Sequence, residues 1–261
     1  MSARARFESK LLSSLAGAGS MLAELRLIMD QEPDSQPKAT VLGWILDDNL
    51  LAKRTASGRE NATSKLVRRY VLDPSDLRFA TFCQAWRVAS TEPGQQALLA
   101  FLLYGTQDGL VRRAACEWLA PLLQEPGREL HKVDTVAYIE RLAQAEPSVG
   151  AWRETTRKSI AEHLMTAARD FGFATGEVRK RVASPSVGPV VSWFAAKLGT
   201  MQQLSGGALL PSDWFRMLGL GVPQVVAALA AMASHGLGRF RASGTVVEIE
   251  LFELPNGGGP R

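Results

Sequence analysis

A chain of 261 residues is too long for one small core and sets an expectation of two or three compact units. With 46% hydrophobic and 21% charged residues, the composition is that of a soluble globular protein and excludes a disordered one. A net charge of +4 permits nucleic-acid binding without requiring it, and Cys83 and Cys116, both in apolar-periodic segments, read as buried free thiols of a cytosolic protein.

The first residues carry charge but no apolar run, so no signal peptide is read there. Residues 7–29 read as an amphipathic helix, with Leu11, Leu12, Leu15, Leu22, Leu25 and Ile28 available to a core. Pro33, Asp34 and Pro37 break it. Residues 38–51 form the next helix, and a helix rich in cations follows from Gly58. Asp73-Pro74-Ser75-Asp76 signals a helix start and a boundary. Helices are expected at 77–89, 92–104 and 110–123, until Glu125-Pro126-Gly127 ends that group. A helix at 133–145, a turn at 146–150 and a longer helix at 151–171 lead into strand-like text at 172–182 with a glycine in its middle. Residues 182–204 hold Ser184, Pro185, Ser186, Gly188 and Pro189, then a helix with Trp193, Phe194 and Leu198. Pro211 opens a short helix ending near Gly219, and Pro223 sits in the first turn of another that stops at Gly236. In 239–252, Val247, Ile249 and Leu251 alternate with Glu248, Glu250 and Glu253 around an Ala-Ser-Gly-Thr turn, which is a β-hairpin pattern.

Helix, turn, helix and hairpin is the winged-helix order, and it occurs twice, at 130–183 and 207–254. The expected division is a helix-turn-helix unit at 1–75, a helical connector at 76–130 and a winged-helix-like unit at 131–183. A linker and helix at 184–206, a second winged-helix-like unit at 207–254 and a flexible tail at 255–261 complete it. The fold class is mainly α with small β-hairpin wings. The long uncharged interval 217–238 has a dense apolar part only at 225–233. That is shorter than the roughly 20 residues a membrane span needs, so it reads as a core helix of a cytoplasmic protein without membrane insertion.

The stretch 49–70 is the most informative. Ser57 and Glu60 have the spacing of a capping box. At 100° per residue, Ala62, Leu66, Val67 and Tyr70 share one side, while Asn61, Lys65 and Arg68 form a stripe on the other with Arg69 at its edge. A long amide and cations suit base edges and phosphates, the layout of a helix-turn-helix recognition helix. The same pattern also fits an ordinary solvated basic face. With Lys53, Arg54 and Arg59, the segment holds six cations against Glu60. A second basic group is Arg179-Lys180-Arg181 in the expected wing, with Arg157 and Lys158 on the preceding helix. Glu154, Lys158 and Glu162 there also have the i, i+4 spacing of self-stabilising surface pairs. A third is Arg239 and Arg241, but the last hairpin is acidic along one strand and suits a protein contact better than DNA.

Nothing points to catalysis. His131, His163 and His235 are far apart and lack Cys or acidic neighbours at ligand spacing. No nucleophile elbow, Walker A sequence or dinucleotide-binding glycine motif occurs. No enzymatic activity, metal or cofactor is expected.

Asn49-Leu-Leu-x-Lys-Arg-Thr followed by the Arg-rich helix resembles the N-terminal signature of the BrxA family of bacterial BREX phage-exclusion systems. Trp152-Arg-Glu-Thr-Thr-Arg-Lys-Ser-Ile160, an Ala-rich helix and Phe171-Gly172 are similar to the same family, and the resemblance runs over 10–183. It implies a small, mainly helical, non-enzymatic DNA-binding component encoded beside a methyltransferase, an ATPase and other defence proteins. The family has also been labelled an inner-membrane protein, for which this sequence offers no segment. The expected function is therefore binding of double-stranded DNA with little sequence preference in antiphage defence. In this reading Lys65 and Arg68 contact phosphate or base edges, Asn61 reads a base and Arg179–Arg181 grips backbone. The alternative is a protein–protein adaptor that holds the methyltransferase or ATPase.

Overall fold

The structure, a computed structural model, describes residues 7–243 and 246–254. The flexible tail expected at 255–261, the charged start of the chain at 1–6 and Gly244-Thr245 of the last hairpin's turn lie outside the described residues. Within them the chain is mainly helical with small antiparallel strand pairs. Helices α1 (Leu22–Met29), α2 (Lys38–Leu46) and α3 (Ala56–Tyr70) come first. Helices α4 (Leu77–Val88), α5 (Pro93–Gln107) and α6 (Gly109–Ala114) follow, and α6 continues through a π-helical turn at Ala115–Leu119 into α7 (Ala120–Leu122). Next come β1 (Glu129–Leu130), α8 (Lys132–Ala145), α9 (Pro147–Gly150), α10 (Glu154–Asp170), β2 (Ala174–Thr175) and β3 (Lys180–Val182). The last group is α11 (Pro189–Met201), α12 (Asp213–Met217), α13 (Val222–Ser234) and the hairpin β4 (Gly238–Ser243) and β5 (Val246–Leu251).

The centre is α5. Every residue from 97 to 106 is buried, the condition of a helix apolar all round. Helices α3, α4, α6 and α11 pack on it. Tyr104 meets Tyr70 of α3 with ring centroids 5.9 Å apart, and Phe101 meets Phe171 and Phe173 at 5.0 and 4.8 Å. One continuous cluster of buried side chains therefore runs from Leu15 to Leu254 through all the segments expected as separate units. Both cysteines are free and buried in it, and burial pushes the Cys116 thiol up to about 12.

Residues 7–21 depart from the expected helix. Only Ser14–Gly17 turns, as a 3-10 element, and regular helix begins at Leu22 after Met21 in the left-handed region. Gly17 and Gly19 weaken helix propensity here. Side chains from elsewhere then capture the carbonyls a helix would use, because Arg69 donates to Ser14 O and Ala18 O and Ser159 donates to Ala16 O. The segment becomes a strap across the molecule. Phe7 packs at a tilt against Trp214, ring centroids 5.4 Å apart, the Glu8 N–H donates to Thr106 O, and the Gly109 N–H donates to Lys10 O. A Cβ on Gly109 would strike the Ser9 and Lys10 backbone, so only glycine allows the strap to pass so close.

Strand β1 was not anticipated; it is too short to show alternation. It pairs with β3, Glu129 opposite Arg181 and Leu130 opposite Lys180, and β3 pairs in turn with β2, so the sheet order is β1-β3-β2. In the last hairpin Gly238 lies opposite Leu251 and Arg239 opposite Glu250, which puts Phe240, Val247, Ile249 and Leu251 on the inner face over α13. Among the described residues no single helix is long and apolar enough to cross a membrane. Gly206–Met217 and Val222–Ser234 pass that test only as a pair bent by 97°.

Candidate nucleic-acid interface

Helix α3 begins differently from the expected capping box. Ser57 and Glu60 are exposed residues inside the helix, and the cap is Thr55, whose Oγ1 accepts from Gly58 N at 3.0 Å. The shift leaves the helix phase unchanged. Ala62, Leu66 and Tyr70 are buried and Val67 is half-buried, so one side docks on the core. Glu60, Asn61, Ser64 and Arg68 are exposed on the other, with Arg59 half-exposed and Arg54 exposed in the preceding turn. Among the described residues, Arg54, Arg59 and Arg68 make no side-chain hydrogen bond or ion pair.

Three cations assigned to this surface are engaged elsewhere. Arg69 is fully buried and is removed from the interface. Its guanidinium donates to Ser14 O, Ala18 O and Lys65 O, approaches Met21 Sδ and lies 5.6 Å from the Tyr104 ring centroid. One hundred degrees separate it from Arg68, which is enough to turn it from water into the strap. Lys53 pairs with Glu24 at 3.3 Å, and the Lys65 ammonium donates to Gly17 O at 3.0 Å while remaining half-exposed.

The second basic group separates into two parts. On α10, Arg157 is held by Glu140 at 2.9 Å and by Trp152 O, while Lys158 pairs with Glu154 at 2.6 Å, which lowers the Glu154 carboxyl and raises the Lys158 ammonium. Glu162, on the same exposed face, pairs with Lys132. That face is neutralised by its own carboxylates, so Arg157 and Lys158 are poorly placed for phosphate. On the hairpin, Arg179 and Arg181 are exposed without an ion pair among the described residues, while the Lys180 ammonium folds back onto Glu177 O at 3.1 Å. Arg153, at the N-cap of α10 and so at the other end of that helix from the hairpin, is also exposed without an ion pair among the described residues. It was missed because a lone arginine before a helix carries no periodic signal.

In the last hairpin the arginines face glutamates across the ladder. Arg239 pairs with Glu250 at 3.2 Å and Arg241 stands opposite Glu248. Helix α13 carries no charged residue at all. The C-terminal helices and hairpin follow a similar order to 129–182, but among their described residues Arg241 is the one exposed cation on the hairpin without an ion pair, and it stands opposite Glu248.

The family model for BrxA matches residues 10–198. Among solved structures, an uncharacterized protein from Magnetospirillum magneticum superposes with a TM-score of 0.59 at 14% sequence identity, over 80% of this chain and 97% of that chain. That likeness is one of fold. A comparison with curated proteins finds no match.

Proposed function

The chain belongs to the BrxA family, which makes it a component of BREX antiphage systems, and on that premise we propose that it is a non-enzymatic protein that binds double-stranded DNA. The observation that carries this reading is α3. Its inner side is fixed to the core, its outer side presents Asn61 and Arg68, and Arg54 and Arg59 extend the same surface without internal partners. Unpaired guanidiniums on a rigid helix suit phosphate oxygens and guanine edges. The helix–turn–helix of α2 and α3 and the strand-flanked α8–α10 unit act in this reading as helix-turn-helix and winged-helix modules. Contact is mainly to backbone, in the cytoplasm.

Fluorescence anisotropy of a labelled random duplex at several salt concentrations tests it. If Arg54, Arg59 and Arg68 each neutralise a phosphate, the log–log salt slope has a magnitude of about 3. Arg54→Ala with Arg68→Ala should flatten that slope by about 1 per lost contact while the fold survives. Absence of binding to any duplex at low salt would leave the second reading, an adaptor that holds another BREX protein. The matched Arg–Glu rows of β4 and β5 and the uncharged α13 favour that reading for the C-terminal part.

A further inference from the structure

The hairpin between β2 and β3 ends in Gly176-Glu177-Val178-Arg179. Gly176 adopts φ +86°, and a Cβ there would collide with the Arg179 carbonyl oxygen, so the turn is closed tightly by the one residue type that fits. At its tip Val178 is 95% exposed, more than any other large hydrophobic side chain among the described residues. Arg179, in the turn, and Arg181, on β3, are both exposed, and neither has a carboxylate partner among the described residues. Lys180, between them, folds its ammonium onto Glu177 O instead. The acids nearest this tip in the chain and in the ladder are Glu177 and, opposite Arg181, Glu129.

We propose that this hairpin tip seats in the minor groove of duplex DNA, with Val178 against the deoxyribose walls and Arg179 and Arg181 on the groove's negative edges. The proposal rests on the DNA-binding reading and assigns a contact residue that α3 does not supply. The minor groove matches the tip on both counts. Its walls are sugar C–H surface that an isolated valine can cover, and its potential, strongest over narrow A·T tracts, attracts guanidinium groups. The major groove offers a narrow apolar tip only thymine methyls, and a protein groove would leave two arginines without acids. Preference for A·T-rich duplex then arises from groove width rather than from hydrogen-bonded base reading.

The test uses the full chain and two labelled duplexes of equal length, one with A·T tracts and one G·C-rich, read by anisotropy. Val178→Asp places a carboxylate against phosphates and should weaken the A·T-rich duplex about tenfold or more, and the G·C-rich one less. Val178→Ser should reduce the A·T preference, and Arg179→Ala should flatten the salt slope by about 1. Netropsin, which fills the minor groove, should displace the wild-type protein. Folded Val178→Asp that binds both duplexes as the wild type does, with no displacement by netropsin, overturns the proposal and leaves α3 as the DNA surface. Loss of Val178→Asp from anionic phosphatidylglycerol vesicles with unchanged duplex affinity overturns it in favour of a lipid surface. A wild-type chain that binds no duplex at low salt overturns both this proposal and the reading on which it rests.

Discussion

Arg68 and Arg69 are neighbours with opposite fates, and substituting each tests the proposed binding apart from folding. Arg69→Ala empties the buried guanidinium site and leaves the part-buried Ser14 and Ala18 carbonyls without their donors, which costs about 2–4 kcal/mol. Urea denaturation should show that loss for Arg69→Ala and almost none for Arg68→Ala, whereas anisotropy of folded protein should show the reverse order. Asp108 sits in the same buried region. It accepts from Ser14 Oγ and from the Leu12 and Leu110 N–H groups, yet burial outweighs these bonds and pushes its carboxyl from 3.8 to about 6. The folded value lies above the unfolded one, so this group's contribution is full below about pH 4 and is lost as pH rises through about 6. Two units correspond to about 3 kcal/mol. Asp108→Asn serves as the reference. The stability of wild type minus that of the variant should decline from pH 4 to 6 and stay level above it; a difference that grows with pH contradicts the account.

At the scale of elements, helices with uninterrupted periodicity were legible and those set by distant partners were not. Helix α10 and the last hairpin follow their expected spans to within a few residues because one face of each is apolar at the right period. The 7–29 expectation failed over its first half because no local pattern reveals that Arg69 and Ser159 will take up its carbonyls. The capping box failed for a smaller reason, since Thr55 lies two residues before Ser57 and also has a hydroxyl to offer. Thr55→Ala should lower stability by about 1 kcal/mol in chemical denaturation. Ser57→Ala should not. Of the interface, the phase of α3 was readable from period alone, but which cations stay free was not, because Glu24, Gly17, Glu140 and Glu154 reach them by tertiary approach or by a spacing that periodicity leaves undecided.

For the whole molecule, the expected division into units meets one continuous core centred on α5. A single cooperative transition should follow, with tryptophan fluorescence and far-ultraviolet circular dichroism giving coincident urea curves. Two separated transitions would mean that the N-terminal and C-terminal helices melt independently. The strap has a consequence for how this protein is made. Synthesis delivers Phe7 first, but Thr106, Gly109, Ser159 and Trp214, which hold the strap and its ends, emerge from the ribosome much later. Helix α3 thus gains Tyr104 and α5 beneath it first, and the Ser159 and Trp214 contacts that hold the strap over Arg69 only later. The surface of α3 therefore takes its final setting only after those later segments have been made, long after α3 itself.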